Sequence, residues 1–300
     1  IVLVVILWIF QDNFLNISFF KKSPSEIEVE ESESLDIPYL EKIDNFIIKE
    51  YSNNQVLLHT IEADVYKSFK NSPVQLETVK VTTFDEFQKE NITLKSNRAV
   101  IFNSGEIHFK GQVEIKTMIG ISHEIDTELL IVEDGQIISN RKIIYLGENE
   151  KIIAEGMHMN NDQDIMNLNG MVQILQDAGA TMDTQDLLII QEGGAKKYIS
   201  KKPTVYRSNQ NIVTADNGIN VDIDSEFIEL LGSVEVLDGS GASMKSDNLI
   251  IDQSNGGQIF MTNSSTHYQS SQVDIKAKKM HYDSISNKLK LTEEVLAIYE

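Results

Sequence analysis

Short segments of alternating apolar and polar residues occupy most of the chain from about residue 45 onward. In one of them Ile107, Phe109, Val113 and Ile115 share a face, because successive side chains of a strand point to opposite faces of a sheet. Asn, Asp and Gly residues separate the segments, as they do at turns between strands. No stretch after residue 50 keeps a helical period over three turns. The pattern predicts an all-β fold.

A short template recurs along these segments: an apolar residue, any residue, a small residue and two mostly polar residues. The small residues of its eight copies are Ala63, Ser96, Thr127, Ala154, Thr184, Ala215, Ser246 and Ala277. The gaps between them are 33, 31, 27, 30, 31, 31 and 31 residues, a regularity that chance rarely produces. A period of this size is typical of repeat architectures, in which stacked units bury apolar faces that no unit could bury alone. We expect the small residue at a crowded site where the chain turns.

A second element, apolar-x-apolar-x-Gly-x-Val-x-apolar, occurs in every other unit, so that two units form a longer repeat of about sixty residues. Its glycines are Gly111, Gly170 and Gly232. A glycine inside a strand indicates a bulge or a close approach of two backbones, and we expect these three to be structural. The last copy, which contains Leu289 and Leu291, has Glu293 in place of glycine and is expected to be less regular.

The repeat predicts an elongated β-jellyroll, β-sandwich or solenoid of stacked repeats with an apolar interior. The end units of such a stack expose strand edges, at which another chain can pair. From the residues alone, a slot for acyl chains and a dry core are equally good interpretations of the interior.

The first ten residues, Ile1 to Phe10, are uncharged. A membrane span needs about 20 residues, so this stretch is either a buried strand, a signal-peptide core or the end of a membrane anchor. We favour a partial transmembrane anchor over residues 1–20, because Trp8, Phe10 and three further aromatic residues resemble an interfacial belt. An acidic spacer is predicted over residues 21–44, and it places the remaining chain outside the cytoplasm.

Composition removes several classes of function. The formal net charge is −20, and so acidic a surface repels nucleic acid. The chain has no cysteine, which excludes disulfides, thiolate metal sites and CxxC redox chemistry. Hydrophobic residues make up 41% of the chain, which is enough for a packed core.

No constellation of residues indicates catalysis, and we expect neither a cofactor nor a metal. The six histidines lack metal-ligand spacing, and His158 and His281 occupy equivalent places in two repeats, as outward-facing strand residues would. Calcium binding by Asp222, Asp224 and Asp238 is a weak alternative, because the sequence contains no calcium-binding repeat. A carbohydrate-active β-helix with paired carboxylates is another alternative, although nothing singles out a pair.

The order and spacing of several short motifs between about residue 35 and residue 177 resemble the LptC family. These motifs are Ile61-Glu62-Ala63, Val81-Thr82-Thr83-Phe84-Asp85, Leu94-Lys95-Ser96-Asn97-Arg98-Ala99, Phe109 to Ile115 and Ala154-Glu155-Gly156-Met157. The later part is similar to LptA (OstA-like) domains, with Leu231 to Val236 followed by Met244-Lys245-Ser246-Asp247. The predicted domains are therefore an LptC-like jellyroll over 45–177 and an LptA/OstA-like jellyroll over 178–300.

The resemblance implies a shared jellyroll that holds lipopolysaccharide by its acyl chains, in a protein that is not an enzyme. It makes Leu76 and Phe84 candidates for lining the lipid, and Gly111 and Gly156 structural. Alternation adds further candidates, which are Ile107, Phe109, Val113, Ile115, Leu168, Val172 and Ile174.

The resemblance also implies partners and a location. An early strand with Val56, Leu58 and Ile61 would dock an inner-membrane ABC transporter of the LptB/LptF/LptG type. A last strand region with Leu289, Leu291 and Val295 would pair with LptA or an LptA-like bridge. The expected location is the inner membrane of a Gram-negative bacterium, with most of the chain in the periplasm. The alternative is a membrane-anchored structural or adhesive β-solenoid without a lipid ligand.

Overall fold

A computed structural model of the protein describes residues 39–299 apart from 119–122, 134, 148–149, 161–164, 178, 193–194, 209–210, 255–257, 284 and 287. The predicted anchor and most of the predicted spacer lie outside the described residues. Within them, no helix has the length and apolarity that a membrane span requires. The chain divides into two compact units, with the boundary between Met166 and Asn167.

The described residues form strands and no helix, as the alternation predicts. The strands are β1 (Glu41–Tyr51), β2 (Leu57–Ser68), β3 (Val74–Phe84), β4 (Glu90–Ile101), β5 (Ile107–Thr117), β6 (Glu124–Glu133), β7 (Gln136–Ser139), β8 (Ile143–Leu146), β9 (Glu150–Asn160), β10 (Ile165–Gln176), β11 (Thr181–Glu192), β12 (Ala195–Ser200), β13 (Thr204–Arg207), β14 (Asn211–Ala215), β15 (Ile219–Asp222), β16 (Phe227–Leu230), β17 (Val234–Asp238), β18 (Ser243–Ser246), β19 (Leu249–Asp252), β20 (Ile259–Thr262), β21 (Thr266–Gln269), β22 (Val273–Ala277), β23 (Lys279–Asp283), β24 (Lys288–Thr292) and β25 (Leu296–Tyr299).

In unit 1, strands β1 to β6 pair in sequence order, and every pairing is antiparallel. The pairing is interrupted near the middle of each strand. In β1, β3 and β5 the residues at the interruption, Asn45, Thr78, Gly111 and Gln112, adopt positive φ. Such bends let a strand pass from one sheet of a sandwich to the other. Each strand therefore contributes one part to each of two half-sheets. We use the term rung for one passage of the chain across the two half-sheets.

The two half-sheets of unit 1 lie on either side of the bends. Half-sheet A contains residues 41–44, 65–68, 74–77, 98–101, 107–110, 129–133, 136–139 and 157–160, and half-sheet B contains residues 46–51, 57–63, 79–84, 90–95, 113–117, 124–127, 143–146 and 150–154. Strands β7 and β8 are the two halves of a single broken rung. Hairpin turns connect strands only within one half-sheet, so the bends are the covalent connections between A and B.

Unit 2 continues the same plan with broken rungs. Strand β11 pairs with both β12 and β13, and two series of antiparallel strands follow from there. One series is β12, β15, β16, β19, β20, β23 and β24, and the other is β13, β14, β17, β18, β21, β22 and β25. The edge strands of the two series are β24 and β25.

All eight small residues of the repeat are buried, and they lie at bends. Two of the hydroxyl-bearing ones also bond the neighbouring rung: Thr184 Oγ1 lies 2.9 Å from Ser200 Oγ, and Ser246 Oγ lies 2.8 Å from Thr262 Oγ1. Ser246 Oγ further donates to the carbonyl of Asn248 at 2.8 Å. A small side chain fits the crowded bend, and a hydroxyl satisfies backbone groups that the break in pairing exposes.

Gly111, Gly170 and Gly232 all have positive φ, as a glycine at a bend predicts. A Cβ on Gly232 would lie 2.0 Å from Asp216 Oδ1, so this position also requires close approach. The expectation that Glu293 would make the last copy less regular needs correction, because Glu293 keeps a positive φ of 63°. Its exposed side chain reaches Lys279 at 2.5 Å, so the bend tolerates a larger residue at the cost of backbone strain.

Candidate functional site

Most inward-facing side chains of both half-sheets in unit 1 are apolar and almost fully buried. Half-sheet A contributes Leu76, Ala99, Ile101, Ile107, Phe109, Leu130, Val132, Ile137, Met157 and Met159, and half-sheet B contributes Ile61, Val79, Val81, Ile92, Leu94, Val113, Ile115, Ile125, Ile143 and Ile152. Near the first rungs, the rings of Phe46 and Tyr66 stack across the bend with centroids 4.8 Å apart. Unit 1 therefore encloses an aliphatic interior between two half-sheets.

Unit 1 brings together five of the nine candidate lining residues. Leu76, Ile107 and Phe109 lie in half-sheet A, and Val113 and Ile115 lie in half-sheet B. Each of the five is at most 6% exposed. The structure therefore places them in a packed interior rather than along an open slot.

The remaining four candidates lie elsewhere. Leu168, Val172 and Ile174 are buried on β10, within unit 2. Phe84 is the last residue of β3, beside a register irregularity, and it is only partly buried. Gly156 is buried in β9, next to a bend.

A row of polar side chains on half-sheet B was missed by the sequence interpretation. Glu50, His59 and Thr83 face each other in register across β1, β2 and β3. His59 is fully buried, and its Nε2 lies 3.2 Å from Glu50 Oε2. The available signal was alternation, because His59 shares the inward face of β2 with Ile61.

Burial moves both members of this pair toward their neutral forms. Loss of hydration lowers the pKa of His59 and raises the pKa of Glu50. The 3.2 Å contact would favour an imidazolium beside a carboxylate, but the loss of water around the fully buried ring outweighs it. His59 is therefore neutral at pH 7 in the folded protein.

We expect the free energy of unfolding of unit 1 to fall as the pH drops from about 7.5 to 5.5. The unfolded chain takes up a proton on His59 below an ordinary pKa of about 6.5, whereas the folded state resists protonation. The raised pKa of Glu50 acts in the opposite sense in the more acidic range, above its ordinary value of 4.5.

Urea unfolding at the two pH values measures this effect in the wild type and in His59→Leu. Titration of the other histidines contributes equally to both proteins and cancels in the comparison. The free energy of unfolding of the variant should therefore depend less on pH than that of the wild type. An unchanged dependence would show that His59 titrates alike in both states.

The outer face of unit 1 carries the one group of three acidic side chains, among the described residues, whose oxygens could converge on an ion. It consists of Glu114, Glu124 and Asp126. Lys116 Nζ bridges Glu114 and Glu124 at 3.0 and 3.3 Å and supplies their countercharge. Burial, followed by the two glutamates, raises the pKa of Asp126. The cluster is accounted for as a surface charge network.

The three aspartates considered for calcium accept hydrogen bonds from backbone N–H groups. Asp222 accepts from the backbone N–H of Ser225 at 3.1 Å, and Asp224 accepts from that of Lys196 at 2.8 Å. Asp238 lies in a different turn, where it accepts from the N–H groups of Ser240 and Ala242. Hydrogen bonds to the carboxylates lower the pKa of Asp222 and Asp238.

The early strand edge lies at β1 rather than at the predicted position. Val56 is in the turn before β2, and Leu58 and Ile61 belong to β2, which pairs with β1 on one side and β3 on the other. The sequence interpretation did not identify β1 as a strand separate from β2 and therefore placed the edge one strand too late. At the other end of the sequence, Leu289 and Leu291 lie on the edge strand β24, and Val295 lies exposed between β24 and β25.

The fold and its apolar interior agree with the comparison to known families. A family model described as lipopolysaccharide-assembly, LptC-related matches residues 1–177, which is more than half of the chain. A comparison with curated proteins gave no match. The family match covers every described strand of unit 1 and extends through β10. The chain therefore belongs to the LptC family.

Proposed function

We propose that this protein is an inner-membrane-anchored periplasmic carrier that accepts lipopolysaccharide from an export ABC transporter of the LptB/LptF/LptG type and passes it towards the outer membrane. Membership of the LptC family implies a non-enzymatic part in lipopolysaccharide transport. The observation that carries the finer proposal is the aliphatic interior of unit 1, lined from two half-sheets.

An acyl chain suits this interior energetically. Burial of each CH₂ group contributes about 0.8 kcal/mol, so a chain of twelve carbons offers roughly 9 kcal/mol before the cost of opening the interior. The candidate residues are packed, and binding therefore requires the half-sheets to separate.

The topology of unit 1 permits such an opening. Half-sheets A and B are joined by the bends, whereas the hairpin turns on the side away from the bends stay within one half-sheet. The two halves can part along that side without breaking hydrogen bonds of the strand ladders. The work required is the loss of side-chain packing.

Exposed strand edges support the proposed partners. Among the described residues, β1 pairs on one side, with β2, so we propose its other edge as the docking edge for the transporter. Within the part of unit 2 that the structure describes, β24 and β25 each pair on one side, and we propose that their other edges pair with LptA or an LptA-like bridge. We further propose that residues 45–177 and 178–300 act as an LptC-like and an LptA/OstA-like domain.

A photo-crosslinking experiment tests the carrier function. p-Benzoylphenylalanine at Phe109, which is buried, should capture lipopolysaccharide in cells, because it replaces a ring on the inward face of β5. The same group at the neighbouring Lys110, on the outward face, is the control and should capture little. Equal labelling at both positions would contradict an interior site.

The tight packing of the candidate residues gives one reason to consider a second function. A structural or adhesive β-solenoid with a dry core would show the same burial. Mass spectrometry of the protein purified from membranes separates the two functions: bound lipid supports the carrier, and lipid-free protein with no crosslink at Phe109 supports the solenoid.

A further inference from the structure

The inward face of half-sheet B changes character from one row to the next. One inward row away from the small residues at the bends, an aliphatic row crosses β2, β3, β4 and β5, formed by Ile61, Val81, Leu94 and Ile115. The next inward row, nearer the hairpins, is the one that contains Glu50, His59 and Thr83. On β4 and β5 the row continues with Ile92 and Thr117. Polar side chains on three adjacent strands thus lie beside a mainly aliphatic row.

The hydroxyl of Thr83 is the group in this row that calls for a ligand. Thr83 is 4% exposed, and its Oγ1 has no hydrogen-bond partner among the described residues. A buried hydroxyl without a partner is costly, so a bound polar group would recover free energy there. Its register neighbour on β2 is His59, whose neutral ring can donate one hydrogen bond and accept another.

The row can be reached from outside. Glu50 lies on β1, and its side chain is 31% exposed, whereas His59 and Thr83 on the next two strands are buried. The polar path therefore runs inward from the edge of the sheet and ends beside the aliphatic row.

We propose that Glu50, His59 and Thr83 form a subsite for the uncharged hydroxyl groups of a sugar headgroup, with the attached acyl chain lying along Ile61 and Val81. This inference rests on the proposed function, because it assumes that an amphiphile enters the interior. The chemistry of the row favours hydroxyl groups over phosphate. The row contains a carboxylate and neither Lys nor Arg, whereas phosphate sites rely on those cations.

The test uses displacement of a fluorescent C18 fatty acid from the full chain by two competitors below their micelle concentrations. Dodecyl maltoside carries sugar hydroxyls, and lauric acid offers a similar chain without them. Thr83→Val removes the hydroxyl and keeps the shape of the side chain. It should weaken competition by dodecyl maltoside about tenfold, equivalent to about 1.4 kcal/mol, and change competition by lauric acid less than twofold.

Thr82→Val is the matched control. Thr82 is also buried with no partner for its hydroxyl among the described residues, but it points to the opposite face of β3. It should leave both competitors unchanged. Thr83→Ser, which restores a hydroxyl, should restore competition by dodecyl maltoside.

The outcomes separate this inference from the proposed function. If neither competitor displaces the fatty acid from the wild type, the carrier function itself fails. If both displace it and Thr83→Val affects them equally, or if Thr82→Val has the same effect, the sugar subsite is overturned and the carrier remains. Dodecyl phosphate competing better than dodecyl maltoside would overturn the preference for uncharged hydroxyls.

Discussion

Gly218→Ala should lower the free energy of unfolding of unit 2 by about 4 kcal/mol, or prevent this unit from folding. Gly218 lies between β14 and β15 with φ of +100°, a conformation that L side chains rarely adopt. A Cβ there would be 2.0 Å from the carbonyl oxygen of Ser200 and 2.7 Å from its carbon. Both are backbone atoms, so no side chain can rotate away. Urea unfolding followed by far-UV circular dichroism measures the loss.

Gly241→Ala is the control for this substitution within the same unit. Gly241 also has positive φ, +87°, but no atom lies within 4 Å of the position of an added Cβ. The variant should therefore show only the backbone cost, about 1 kcal/mol. Equal losses for the two alanine variants would mean that the close approach of Gly218 to Ser200 is relieved at no cost.

Phe109→Ala should lower the free energy of unfolding of unit 1 by about 4 kcal/mol, in the range typical of buried aromatic residues. Phe109 is 2% exposed on β5, in register with Ala99 on β4 and Leu130 on β6. Removing the ring leaves a cavity between strands held on both sides, so neighbouring groups can fill little of it. Denaturant unfolding of the wild type and the variant gives the difference.

Phe87→Ala is the matched control, because Phe87 is 73% exposed in the turn between β3 and β4. Its loss should change the free energy of unfolding by less than about 0.5 kcal/mol. A cost below about 1 kcal/mol for Phe109→Ala would contradict a packed interior and indicate a loosely filled one.

Alternation was sufficient to predict the inward residues of β5. Ile107 and Phe109 lie before the bend and Val113 and Ile115 after it, and all four point inward. The bend in β5 consists of two residues, Gly111 and Gln112. Because two is an even number, inward and outward positions alternate in the same way before and after the bend. The inward positions of these four candidates could therefore be predicted from the pattern alone, whereas Leu76 and Phe84 came from the family resemblance.

Other features were beyond the sequence pattern. Alternation does not show that a bend divides a strand between two half-sheets, because both halves have the same period. Alternation places His59 on the same face as Ile61, but only apolar side chains were selected as lining candidates, so Glu50, His59 and Thr83 were not selected. Strand β1 begins at Glu41, inside the predicted spacer. The spacer was predicted too long because the acidic start of β1 resembles the charged run before it.

The back-and-forth course of the rungs sets how such a chain can change in length during evolution. Adding one rung would reverse the direction of every strand that follows, whereas adding two restores it. The smallest neutral insertion is therefore a pair of rungs, which corresponds to the 31-residue spacing seen between most of the small residues at the bends. A duplicated hairpin brings its own bend and inward side chains, so this interior can grow by copying without redesign of its neighbours.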